Sequence, residues 1–202
     1  MTVAASTELE AINIMLASIG EAPINTLTGT LPVDAKLAQN TLSEINKEVQ
    51  SEGWSFNTEI DVVLTRDSSN NINLAANVIS ADPNIHYHPD VDAIQRGLKF
   101  YDRKNHTFEF EADLKSTVVF LRDFDEIPEP ARRYITIKAS RVFVDRLVGD
   151  EGLRSFSQQD EVRARAILME TDLENGDHNL LRGDPSLTSV FDTYSPSRAL
   201  IR

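Results

Sequence analysis

Carboxylates dominate the side chains that could do chemistry, and two groups of them have a suggestive spacing. Glu109-x-Glu111 and the run Asp123, Asp125, Glu126, Glu129 invite a glycoside-hydrolase reading. That chemistry needs an acidic and a basic carboxyl group roughly 5–10 Å apart across the scissile bond. Spacing along a chain does not set that distance. The second group also reads as an anionic cluster ahead of a helix, where the positive end of the helix dipole stabilises it. His86-x-His88 would put two rings on one side of an extended segment, with Asp82, Asp90 and Asp92 nearby. Pro83 and Pro89 make that segment a loop, and a two-histidine metal site needs a third ligand with support behind it. A solvated loop is therefore expected, and His106 and His178 read as isolated surface residues. Arg132-Arg133 could meet phosphate or a partner's carboxylate, or be ordinary surface residues of a first helical turn.

The chain has no cysteine, which removes a thiolate nucleophile, a cysteine-ligated zinc and any disulfide framework. No serine nucleophile elbow, phosphate-binding glycine loop, dinucleotide fingerprint or HExxH pair occurs. The expectation is no catalytic residue, no cofactor and no metal. A cell-wall or capsule glycan hydrolase using paired carboxylates is the alternative that stays open.

The 202 residues are 41% hydrophobic and 26% charged, an ordinary globular balance. A chain of this length buries roughly 70% of its unfolded surface and needs no staple. Residues 1–6 lack the basic and apolar regions of a signal peptide, and no run approaches the roughly 18 apolar residues of a membrane span. The net charge is −12, from 20 basic and 32 acidic groups. Half of the excess lies in residues 1–60, with eight acids against two bases. Such a chain lacks the counterion-release term that drives duplex binding, so nucleic-acid recognition is not expected.

The elements that must position these residues follow from periodicity. Thr7-x-x-Glu10 predicts a capping box, with Leu9, Ile12, Leu16 and Ile19 at helical spacing and Gly20 as the stop. Ala38, Leu42, Ile45 and Val49 form one stripe on a second helix from about Pro32 to Glu52, ended by Gly53. Trp54, Phe56, Ile60, Val62 and Leu64 alternate as in a strand. Residues 97–102 and 107–111 predict a hairpin around Arg103-Lys104-Asn105, and residues 117–121 a buried strand. A helix over about 129–148 is apolar on most sides, apart from Lys138, Arg141 and Asp145, and should be the most buried element. Ser157-x-x-Asp160 predicts the cap of a last helix with Ala164, Ile167, Leu168 and Thr171 on one face, closed by Gly176. From about Gly183 on, Gly, Pro, Ser, Thr and Asp interrupt isolated apolar residues. This composition predicts an arm that orders on a partner. The expected fold is α+β: a four-helix bundle core from residues 1–53 and 123–182, an inserted antiparallel β region at 54–122, and an extended C-terminal arm at 183–202.

Four stretches carry a resemblance: ELEAINIMLASIGEAP (8–23), QSEGWSFNT (50–58), VFLRDFDEIPEPARRYITIKASRVFVDR (119–146), and 161–181 with its ME-x-D-x-x-x-GD-x-NLL ending. KFYDR (99–103) adds a fifth. In order and spacing they resemble the tail tubular protein A family of short-tailed phages. The likeness covers nearly the whole chain and is weakest across 61–96 and after residue 184. It implies a structural virion protein without enzymatic activity. It also implies a homododecameric adaptor ring joining the capsid portal protein to the tail nozzle protein, with genome DNA passing through and no membrane contact, assembled in the bacterial host cytoplasm. Twelve copies at −12 would carry about −144 around the channel, a wall along which DNA slides without sticking. The candidate partner residues are Arg132, Arg133 and Arg141 on the long helix and Val190, Phe191, Tyr194, Leu200 and Ile201 in the arm.

Overall fold

The computed structural model describes residues 6–147 and 151–175, with side chains of the last helix from residue 158. Helix α1 (Glu8–Ser18) starts at the expected capping box: the Glu10 amide donates to Thr7 Oγ1 at 3.2 Å and the Thr7 amide to the Glu10 carboxylate at 3.0 Å. Helix α2 (Val33–Gln50) follows Pro32 and buries Ala38, Leu42, Ile45 and Val49, the stripe that its spacing marks. Gly53 then adopts φ +76°, where a side chain would be strained.

Five strands follow: β1 (Thr58–Leu64), β2 (Val78–Pro83), β3 (Ala93–Arg96), β4 (Lys99–Asp102) and β5 (Leu114–Phe120). β5 is the centre of a three-stranded antiparallel sheet ordered β1-β5-β2, and β3 and β4 form a separate hairpin. A bulge in β1 puts Asp61 at φ +57°, and the Asn84 amide and the Tyr87 hydroxyl both donate to its carboxylate. The hairpin expected between 97–102 and 107–111 is reduced to one antiparallel bridge, Asp102 with Thr107, and the regular hairpin is this β3–β4 pair. Its turn is at Gly97, φ +63°, which supplies the left-handed conformation that a tight turn favours. Residues 103–105 instead form a loop closed by the Asp102 carboxylate, which accepts from the amides of Lys104 and Asn105. Trp54 and Phe56 precede β1 rather than belonging to it.

A short 3-10 turn (Phe124–Glu126) leads into α3 (Glu129–Leu147), and α4 (Glu151–Asn175) follows. Ser157 and Asp160 therefore lie inside α4 and do not cap it. The four-helix bundle is likewise not what forms. Helices flank two antiparallel sheets in a mixed α+β chain. α3 packs on α1, α2 and α4, while α3 alone is the principal helix partner of α4. A bundle requires each helix to turn its apolar stripe to a common axis. Among the described residues of α4, Ala164 and Leu168 are the buried ones, and Trp54, Phe124 and Ile127 from connecting segments complete the core that they join. A second apolar cluster, around Ile72, Phe100, Phe110, Leu114 and Val118, lies under the strands.

Buried carboxamides join the end of α2 to the end of β5. The Gln50 side chain is fully buried; it donates to the Arg122 carbonyl at 2.9 Å and accepts from the Arg122 amide at 2.8 Å, as a neighbouring strand would. Asn57, 1% exposed, donates to the carbonyls of Gln50 and Phe120 and accepts from the Trp54 amide, each at 2.9 Å. The Trp54 indole N–H closes on the Val49 carbonyl at 2.8 Å. Buried backbone groups left unpaired cost about 1–3 kcal/mol each. Gln50→Leu, which orphans both Arg122 backbone groups, is thus expected to destabilise the protein by about 2–4 kcal/mol, read from the midpoint of urea unfolding. A loss below about 0.5 kcal/mol would mean that water replaces the amide without cost.

Candidate functional site

The arginines that the sequence offers to a partner have different surroundings. Arg132, in the first turn of α3, spends its guanidinium on three carbonyls: Ile127 and Ser6 at 2.7 Å each, and Asp125. The carboxylates beside it are similarly engaged. Asp125 accepts from the Glu8 amide at 3.1 Å, and Glu129 from the Ser6 amide and hydroxyl at 2.8 and 2.6 Å. These contacts stitch the start of α1 to the start of α3. Arg141 is paired with Glu161 of α4 and with Asp145, 3.4 Å away. The hydrogen bond to Glu161 raises its pKa further above the ordinary arginine value, so this cation stays charged at any pH the fold meets. Arg133 is exposed and has no partner among the described residues. Val190, Phe191, Tyr194, Leu200 and Ile201 lie outside the described residues.

A second polar cluster fixes α4. Arg165 grips the Glu52 carboxylate with two nitrogens, at 3.0 and 2.6 Å, and donates to the Tyr134 hydroxyl at 3.0 Å. Its guanidinium also lies over the rings of Tyr134 and Trp54. The hydrogen bond to Glu52 is the largest cause of its raised pKa. Two turns further along, Asp172 accepts from the Ser55 amide at 2.8 Å. Three contacts on one side of α4, at Glu161, Arg165 and Asp172, therefore hold its rotation about its own axis.

That rotation sends apolar residues outward. Val162, Ala166, Met169 and Leu173 are all exposed. Their spacing of four, three and four places them on one stripe. Ile167, expected in the buried face with Ala164 and Leu168, is 43% exposed.

The residues singled out for hydrolysis are not assembled into a site. Glu109 and Glu111 are exposed, and the Glu111 carbonyl accepts from Arg66 at 2.6 Å. A cleft of about 240 Å³ lies between α2 and the connection from β5 to α3, and of the six candidate carboxylates only Asp123 lines it. His88 Nε2 accepts from the Lys115 amide at 2.9 Å, which occupies the lone pair that a metal would need. Among the described residues, no three histidine or carboxylate groups converge as metal ligands.

Sequence reasoning missed the Gln50–Asn57 junction, the Glu52–Arg165 clamp and the outer stripe of α4. The first two fall within or beside QSEGWSFNT, but their partners are remote in sequence. The third was readable, since Val162, Ala166, Met169 and Leu173 repeat at helical spacing. The stronger pull of Ala164 and Leu168 directed the reading to the opposite side.

Comparisons with known proteins give the family. The profile of the family described as tail tubular protein matches residues 9–178. The chain is also 27% identical to tail tubular protein A of Klebsiella phage KP34 over 172 residues, covering 83% of this chain and 88% of that relative. The matched region includes both sheets and, apart from Glu8 at the start of α1, all four helices. On the span of that match, the chain belongs to the tail tubular protein family, structural proteins of the bacteriophage tail.

Proposed function

We propose that this protein is the adaptor ring subunit of a short phage tail, joining the capsid portal to the tail nozzle and lining the channel through which DNA leaves. The family match over residues 9–178 carries the reading. The surface supports it: an exposed apolar stripe on a helix whose rotation is fixed is a feature of proteins that assemble. The net charge of −12 supports the channel role, because an acidic wall repels the DNA phosphates. In this reading the helical parts (1–53 and 123–182), the β region (54–122) and the arm (183–202) are separate working parts. Assembly takes place in the host cytoplasm. Arg133, whose guanidinium has no partner among the described residues, is the α3 arginine assigned to a partner. Arg132 and Arg141 hold the subunit in shape for that contact, and Val190, Phe191, Tyr194, Leu200 and Ile201 supply apolar anchors.

Two expected outcomes test this reading. Electron microscopy of the purified protein mixed with its portal should show a twelve-fold ring seated on the portal; monomers beside bare portals would refute the adaptor role. Against capsule and cell-wall glycans, the wild type, Glu109→Gln, Glu111→Gln and Asp125→Asn should all release sugar at the rate of a buffer blank. Turnover that survives purification and vanishes in one of these variants would restore the hydrolase alternative.

A further inference from the structure

A helix face turned to solvent is ordinarily polar, and the outer face of α4 is not. Val162 and Leu173, at its two ends, are 67% and 63% exposed, and Met169 between them is 48% exposed. The eleven steps from Val162 to Leu173, at about 1.5 Å each, make this stripe about 16 Å long. It cannot roll into the core, because Arg141–Glu161, Arg165–Glu52 and the Ser55–Asp172 bond hold the other side of the helix.

Three observations select an occupant. The chain runs on for 27 residues after Asn175, the end of the helix that bears the stripe. That continuation holds Leu180, Leu181, Leu187, Val190, Phe191 and Tyr194, and the last four recur at i, i+3, i+4 and i+7, a spacing that gathers them on one apolar face able to meet another. Its three acids and three bases cancel, so the whole −12 resides in residues 1–175, and the segment approaches an acidic subunit without added repulsion. Fully extended, 27 residues span about 90 Å, several times the length of the stripe and far more than a fold-back over α4 requires.

We propose that the α4 stripe is the docking surface for the C-terminal segment of a neighbouring copy, with residues 180–194 lying across Val162, Ala166, Met169 and Leu173. The proposal rests on the ring reading above and names the partner of that arm. Each subunit then offers one stripe and one arm. A head-to-tail contact of this kind closes into a ring when its rotation divides the circle.

The absence of cysteine makes disulfide trapping clean. One preparation carries Met169→Cys and the other Leu181→Cys, Leu187→Cys or Phe191→Cys; the two are mixed, assembled and oxidised. At least one arm position should give a covalent heterodimer containing most of the chain, as read on a non-reducing gel, with Ser68→Cys in place of Met169→Cys giving only background. Adding Val162→Asp and Leu173→Asp to the Met169→Cys chain should reduce the product at least tenfold without moving its melting temperature, since both sites are exposed. Rings visible by electron microscopy with no trapping above the Ser68 background would overturn the docking inference and leave the ring reading standing. A third preparation carrying Met169→Cys and the arm cysteine in one chain that forms an intrachain disulfide, while the mixture gives no heterodimer, would overturn it in favour of a fold-back. If no ring forms at all, both readings fail together.

Discussion

The structure depends on two carboxamides that finish a sheet from the side of a helix. Where β5 runs out of strand neighbours, Gln50 pairs with both backbone groups of Arg122, and Asn57 spans the carbonyls of Gln50 and Phe120. Neutral amides suit this place because one side chain both donates and accepts, with no charge to desolvate. The result ties the last turn of α2 rigidly to the exit of β5, and that exit leads through the 3-10 turn into α3. A shift at Gln50 would therefore be felt at the start of the most central helix. Conformational uniqueness at this junction comes from hydrogen-bond geometry, where apolar packing alone would tolerate several registers.

The last helix follows a different rule. Among its described residues α4 buries Ala164 and Leu168, and charge-assisted bonds tie it to α3 and to the turn after α2. Such bonds are directional, so they fix which face of a helix looks outward even where burial does not decide it. Exposed ion pairs add little net stability. Their contribution here is orientation, and orientation is what a subunit needs if an apolar stripe is to meet a neighbour. One of these clamps engages Arg141, a candidate for a partner in the sequence, with Glu161 of α4, while Arg132 is engaged by the carbonyls of Ser6, Asp125 and Ile127. Glu161 and Ser6 are remote from these arginines in sequence and could not be read from local spacing.

Local physics was legible and remote physics was not. The capping box at Thr7, the stripe of α2 and the burial of Tyr134, Ile135 and Phe143 in α3 all follow from neighbours within a few residues. β2 went unread because Ser80, Asp82 and Pro83 have poor strand propensity; pairing with central β5 overrides it. The start of α4 was misplaced because Ser157-x-x-Asp160 has the form of a cap, and that form carries no information about whether the chain upstream is already helical. The bundle expectation failed for a related reason. Periodicity reveals that a helix has an apolar face, but not whether that face meets its own chain or another. Among the described candidate partner residues, Arg133 is the exposed one, as its place in the first turn of α3 suggests.

The central claim is that the subunit is complete before it assembles, with its junction already formed and only its outer surfaces waiting for neighbours. Hydrogen exchange at the amides of residues 50–57 and 120–122, compared between the isolated protein and the assembled tail, tests it most directly. The account predicts strong protection in the isolated protein, unchanged on assembly. Rapid exchange at these amides in the isolated protein, slowing only in the tail, would contradict it and make the junction a product of assembly.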